Sequence, residues 1–288
     1  MVKFSKYSGL GNDFIILDAN QGNIPDSILS GHAIPIKQIC HRRFGIGADG
    51  VILSLPSRNN ADARMRIFNS DGSEAEMCGN GIRCLVRFLH DTNKVSLNQS
   101  LVIETLAGPI VAQINNNSSI SVDMGKPTFI PSEIPTLLEQ NLLGIPEGKI
   151  SILGEEIVIR AVGMGNPHMI VYVKDIRKVP LNTWGSQLES HVTFPAKTNV
   201  HFVQTISRSK LAMLVWERGS GETLACGTGA CACAVMTRTL GLCESNIQIK
   251  LPGGNLNINW PDNKSNVTMI GPAQLICSGQ FEISNFSE

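Results

Sequence analysis

The 288-residue chain lacks net charge, with 24 Lys plus Arg against 24 Asp plus Glu. Without an excess of either sign it has no general electrostatic reason to hold nucleic acid or anionic lipid, so neither is expected as a partner. It also lacks any run of about 18 apolar residues, so no segment is expected to cross a membrane as a helix. The opening "MVKFSKYSGLGNDF" has no apolar signal-peptide centre, and a cytoplasmic location is the expectation. Low-complexity segments are missing. Among the neighbouring cysteines Cys226, Cys231 and Cys233, none forms Cys-x2-Cys and none lies beside a histidine. Cys226 and Cys233 are too far apart on one helix to share an ion easily, so no metal is expected there.

The chain does contain eight cysteines. In a long chain without an export signal they are expected to stay reduced. Cys40, Cys84, Cys231, Cys233, Cys243 and Cys277 are expected to pack inside as small hydrophobes. A composition of 42% hydrophobic and 17% charged residues is that of a globular protein. The length suits two domains of about 150 residues each.

Most periodic segments read as strands. "FIILDA", "VILSLP", "RMRIFN" and "LVIETL" in the first half are apolar runs bounded by turn formers. "EIVIRAV", "HMIVYVKDI", "VHFVQTIS", "KLAMLVWE" and "IQIKLP" repeat the pattern in the second. "LNINW" alternates, which predicts Leu256, Ile258 and Trp260 on one face. Helices are predicted over about 35–43, from Gly79 to about His90, near 182–190, and from Gly227 to a left-handed Gly241. "INNNSS" and "PDNKSN" read as hairpin tips. Many strands and few helices argue for an α+β fold with antiparallel sheets rather than alternating βαβ units.

Two stretches repeat each other. "RIFNSDGSEAEMCGNGIRC" and "MLVWERGSGETLACGTGAC" share a strand, a Gly-containing turn, a Glu, then Cys-Gly-x-Gly and a helix-like run. The matched order points to an internal duplication, with Cys78 and Cys226 each starting one helix. Helix N-termini carry unpaired N–H groups and positive potential, so a thiol there is expected to ionise more readily. The same N–H groups can hold a carboxylate, and glycines let a ligand approach them. A Cys at such a junction is often only a small buried side chain; two copies with flanking glycines and a Glu favour chemistry. A Cys-His nucleophile pair remains open, but it leaves the second cysteine without a role.

Two thiols flanking one carbon, each in near-attack contact, would stand roughly 6–7 Å apart. That arrangement suits inversion of a stereocentre: one thiolate removes the Cα proton and the opposite thiol delivers another. The developing charge would enter the substrate carboxylate at the two helix ends. A carboxylate should hold the α-ammonium, with Glu217 the candidate.

With "GLGNDF", "FGIGADG", "FNSDGSEAEMCGNGIRC", "MGNPH", "TNVHFV", "ERGSGETLACGTGACA" and "LPGG" in order, nearly the whole chain resembles the diaminopimelate epimerases. The resemblance implies a cofactor-independent isomerase of lysine biosynthesis that interconverts LL- and meso-diaminopimelate. It implies Cys78 and Cys226 as the acid/base pair, and Gly79, Asn80, Gly227 and Thr228 as contacts to the reacting carboxylate. Asn12 would touch the substrate near the reacting centre. Asn69, Asn166, Asn199 and Arg218 would hold the distal end, and His168 and Glu217 would tune the thiols. The implied fold is two pseudo-symmetric domains, 1–126 plus 273–288 and 127–272, each a curled antiparallel sheet around a central helix, with the active site in the cleft between them. The resemblance also implies a homodimer. One departure is Gly50, where many relatives have Gln. The alternatives are another racemase of this scaffold, such as a proline racemase-like enzyme, or a non-catalytic ligand- or metal-binding protein.

Overall fold

A computed structural model describes residues 1–21 and 24–282. The chain forms two compact units, Met1–Val122 with Gly271–Glu288, and Asp123–Ile270. In the first unit β1 (Val2–Gly9) and β2 (Asn12–Asp18) precede α1 (Asp26–Leu29) and α2 (Ala33–Cys40). Then come β3 (Gly50–Leu55), β4 (Ala63–Asn69), β5 (Glu74–Ala75) and α3 (Gly79–Asp91). β6 (Ser100–Thr105), β7 (Gly108–Ile114) and β8 (Ile120–Asp123) follow. The C-terminal strand, Gln274–Phe281, pairs antiparallel with β1.

The second unit contains β9 (Glu147–Ile152), β10 (Glu155–Gly163), β11 (Pro167–Tyr172), α4 (Leu181–Glu189) and β12 (Asn199–Ser207). After them run β13 (Lys210–Glu217), β14 (Gly221–Glu222) and α5 (Gly227–Thr239). β15 (Asn246–Leu251), β16 (Gly254–Asn259) and β17 (Thr268–Gly271) complete it.

The two units share one pairing scheme. In the first, β1–β2, β3–β4, β6–β7 and β7–β8 are antiparallel, while β2–β3 and β4–β6 are parallel. In the second, β10–β11, β12–β13, β15–β16 and β16–β17 are antiparallel, while β11–β12 and β13–β15 are parallel. β9 pairs with β10 as the C-terminal strand pairs with β1. The duplication legible around the two cysteines thus extends over each unit.

Most pairs are antiparallel, as expected of this α+β fold, and each unit adds two parallel pairs that the sequence did not indicate. Parallel neighbours need a crossover, and each crossover here carries a helix: α2, α3, α4 or α5. Each sheet curls round its long helix. α3 packs on β1, β2, β3, β4 and β7, and α5 on β10, β11, β12, β15 and β16. Ile82, Leu85, Val86, Phe88 and Leu89 of α3 are buried, each such side chain contributing about 1.5–3 kcal/mol. α5 instead carries only small residues (Gly, Thr, Ala and Cys) in its first two turns, so the sheet approaches closely; a Cβ at Gly229 would collide with the His201 ring.

Leu256, Ile258 and Trp260 are buried, as alternation predicted. α5 ends at Thr239 with Gly241 at φ 72°, and the Leu242 N–H bonds the Thr237 carbonyl, a left-handed C-terminus as expected. The helix predicted over 35–43 stops at Cys40. The His41 ring accepts the Arg43 and Phe44 N–H groups, diverting them from the helix ladder. Five of the six cysteines expected inside are buried, but Cys277 is exposed. It lies on the C-terminal strand, where Leu275 and Ile276 are exposed as well.

Candidate active site

In the first unit the turn after β5 delivers Cys78 to the N-cap of α3, with extended backbone at φ −143° and ψ 118°. Its thiol is half-buried and faces Asn12 Oδ1 at 3.9 Å. A directed chain of hydrogen bonds runs beneath it. Arg83 Nη2 donates to Asn80 Oδ1 at 2.9 Å, Asn80 Nδ2 donates to Asn12 Oδ1 at 3.2 Å, and Asn12 Nδ2 donates to Asp49 Oδ2 at 3.0 Å. A guanidinium only donates and a carboxylate only accepts, so the two ends fix both amides. Arg83 is fully buried and also donates to the carbonyls of Pro272 and Gly79. Its cation lies against the first turn of α3, next to Gly79 and Asn80, where a helix already favours an anion.

Asp49 is held in turn. Arg42 bonds it at 2.6 Å and bridges to Asp13, which also pairs with Lys6 at 2.8 Å. Burial raises the Asp13 pKa, but bonds from Arg42, Lys6 and Asp49 outweigh it and bring the carboxyl down to about 2. Asn69 sits exposed at the end of β4, donating to Ser73 Oγ at 3.0 Å within a tight turn. Opposite it in β3 is Gly50, where a Cβ would run into the Phe68 carbonyl and the Phe14 ring. The backbone here suits the glycine of this chain.

In the second unit the turn after β14 places Cys226 at the N-cap of α5. The thiol is buried, accepts the Gly229 N–H at 3.4 Å and lies 3.5 Å from Thr228 Oγ1. Gly227 is buried beside it. Glu217, at the end of β13, accepts the Thr223 hydroxyl at 2.5 Å and interacts with the same thiol. Burial pushes the Cys226 thiol well above its usual range, the Glu217 charge adds to this, and the bonds from Thr228 and Gly229 pull back only in part. Glu217 is itself raised, by burial first, against its bonds from Thr223 and Cys226. This departs from the expectation that the helix end would ease ionisation: at Cys226 desolvation and a neighbouring carboxylate outweigh the helix.

Arg218 is exposed; its backbone N–H donates to Asn199 Oδ1 at 3.0 Å and its guanidinium to the Ala196 carbonyl at 3.2 Å. Asn199 also donates to the Pro167 carbonyl at 2.9 Å, so its amide ties β12 to the residues flanking it. His168 is fully buried, with Nε2 2.7 Å from Asn166 Oδ1 and Nδ1 2.8 Å from His201 Nε2. Asn166 precedes β11 and is half-buried.

The expected residues therefore gather at the two helix starts: Asn12, Cys78, Gly79 and Asn80 at α3, and Glu217, Cys226, Gly227 and Thr228 at α5. Asn166, His168, Asn199 and Arg218 form a polar group at the ends of β11, β12 and β13, and Asn69 stands at the end of β4. Sequence reasoning missed Arg83, Asp49 and His201. A charged residue inside the apolar run "GIRCLVRF" was the available signal for Arg83. Among the described residues no group of three or more His, Cys, Asp or Glu side chains could hold a metal ion.

A family model described as diaminopimelate epimerase matches residues 4–130 and 160–276. A diaminopimelate epimerase of Prochlorococcus marinus (strain NATL2A) is 51% identical over 280 residues, covering 97% of this chain and 99% of the relative. One from Carboxydothermus hydrogenoformans is 47% identical over 282 residues, with coverage of 97% and 99%. A solved structure, a probable proline racemase of Agrobacterium radiobacter K84, superposes with a TM-score of 0.69 at 14% identity, covering 99% of this chain and 96% of that one. At that identity the likeness concerns the fold alone.

Proposed function

The chain belongs to the diaminopimelate epimerase family, and from that premise we propose that it inverts one Cα of diaminopimelate, LL to meso, using Cys78 and Cys226 as a base and acid pair. The observation that carries the reading is the duplicated thiol. Each unit sets a cysteine at the N-cap of the one long helix its sheet encloses. A one-base reaction has no use for the second copy.

Cys226 rests as a thiol, because burial and Glu217 hold its proton on. It is the donor in the first direction, and Cys78 is the acceptor. The Cys78 thiolate takes the Cα proton and becomes a thiol. The electron pair left on carbon delocalises into the substrate carboxylate. The Cys226 S–H then protonates the opposite face and leaves a thiolate, so the reverse reaction starts with roles exchanged. General acid–base catalysis of this kind contributes about 10²–10⁴-fold.

The carboxylate meets the first-turn N–H groups at Gly79–Asn80 and Gly227–Thr228, where donors placed for developing charge contribute about 10²–10³-fold each. Asn12 lies beside Cys78 and orients the reacting end. Glu217 both accepts from the Cys226 thiol and receives the α-ammonium, keeping it protonated. Asn69, Asn166, Asn199 and Arg218 take the distal amino acid end; His168 is assigned to tuning a thiol, and its bond to Asn166 also ties it to that set. These residues supply all the acid–base chemistry, so the reaction proceeds without pyridoxal phosphate or metal. No helix among the described residues is long and apolar enough to cross a membrane. We assign the enzyme to the cytoplasm as a homodimer, with sedimentation as the check on assembly.

The test is incubation of purified protein with LL-diaminopimelate, free of pyridoxal phosphate, followed by chiral analysis. The meso form should appear with wild type and with Cys84→Ala. Cys78→Ala and Cys226→Ala should each abolish it. Full activity in either of those two would sink the two-thiol scheme, and turnover of proline in place of diaminopimelate would reassign the substrate.

A further inference from the structure

β11 and β12 run parallel, with His168 opposite Asn199 and Ile170 opposite His201. Side chains two apart share a face, so both imidazoles and Asn199 point to one side of the pair. That is the side covered by α5, whose Gly229 abuts the His201 ring. Both histidines are fully buried. They form one line with Asn166: His201 Nε2 to His168 Nδ1 at 2.8 Å, then His168 Nε2 to Asn166 Oδ1 at 2.7 Å. Both rings are neutral at neutral pH. Burial brings His201 down to about 3, and burial with His201 and Arg218 nearby brings His168 well below its usual range.

A neutral imidazole has one N–H and one lone pair, so each bond in the line dictates the next. Two directions are available. If Asn166 donated to His168, the line would end in an N–H on His201 Nδ1. That atom is buried and has no hydrogen-bond partner among the described residues. The N–H would also lie against the first turn of α5, where the helix potential is positive. In the other direction Nδ1 carries a lone pair, which that potential favours. His201 then donates to His168, and His168 donates to the carbonyl oxygen of Asn166. The Asn166 amide is locked with its NH₂ turned away from the histidines.

We propose that His201 is a positioning residue which, through the tautomer of His168, holds the Asn166 carbonyl oxygen toward the histidines and so presents its NH₂ to a substrate carboxylate. The inference rests on the reading that Asn166 contacts the substrate. It adds a specificity rule: the group facing the Asn166 NH₂ must be an acceptor.

The experiment uses full-length enzyme and two readouts. In ¹⁵N-histidine-labelled protein at neutral pH, long-range ¹H–¹⁵N spectra should show both His168 and His201 protonated at Nε2. An Nδ1–H on either ring overturns the relay. In steady-state kinetics His201→Phe, which removes the donor, should raise KM for diaminopimelate roughly 10- to 100-fold, the size of one hydrogen bond to a charged group. kcat should fall much less. His201→Gln keeps an N–H donor and should recover most of the loss; a merely space-filling role would not distinguish Gln from Phe in that direction. If Asn166→Ala raises KM while His201→Phe does not, the relay fails although the substrate contact stands. If Asn166→Ala leaves KM unchanged, the contact reading fails, and the spectrum alone still decides the tautomers.

Discussion

Asp13→Asn tests whether the charge cluster under Asn12 is as strongly organised as its geometry requires. Asp13 receives Arg42 through two bonds, 2.8 and 3.1 Å, pairs with Lys6 at 2.8 Å, and accepts the Asp49 N–H at 3.0 Å. Its side chain is only 13% exposed and that of Lys6 15%, so solvent screens this pair little, whereas the Arg42 side chain is 56% exposed and its pair is screened more. A carboxyl brought from 3.8 to about 2 is stabilised by about 2 kcal/mol in the folded protein relative to the unfolded chain. The sign follows from linkage. The folded pKa is depressed, so this stability is fully present above about pH 4 and is lost as pH falls through about 2. Urea unfolding of wild type and Asp13→Asn at pH 7 should differ by at least about 2 kcal/mol, and the difference should narrow as pH drops toward 3. A difference near zero at pH 7, or one that does not change on acidification, would refute the assigned pairing.

Two further perturbations bear on the second unit. Glu217→Gln removes the charge that pushes the Cys226 thiol up, so the pH midpoint for alkylation of Cys226 should move down; an unmoved midpoint would show that burial acts alone. Gly229→Ala should destabilise the fold by about 1–3 kcal/mol in urea titration, because the new methyl meets the His201 ring. Wild-type stability would mean that the ring moves aside without cost.

The parts legible in sequence were those encoded locally. Cys78 and Cys226 stand at the N-caps that the Cys-Gly-x-Gly repeats marked. Gly241 ends α5 because its left-handed backbone is a local requirement. The alternation of Leu256, Ile258 and Trp260 is written in five residues. The parallel pairs were hidden, because pairing partners across a crossover leave no short-range mark. Arg83 and His201 were hidden for a related reason. Their roles come from partners far away in the chain or packed behind the sheet, such as Pro272 for Arg83 and Gly229 for His201. At Cys226 the helix N-terminus is visible in sequence, whereas the burial that overrides its effect on the thiol is not. Residue type alone points Cys277 inward, but its strand leaves Leu275 and Ile276 exposed too.

The central claim is that two different thiols handle the departing and arriving protons. The most direct measurement is early turnover of LL-diaminopimelate in deuterated water, with mass analysis of both stereoisomers. Two thiols predict meso product carrying deuterium at Cα, because its proton comes from a solvent-equilibrated donor, while the remaining LL substrate keeps its original hydrogen. Meso product that retains the substrate's own hydrogen would mean that a single group removed and returned it, and would contradict the account.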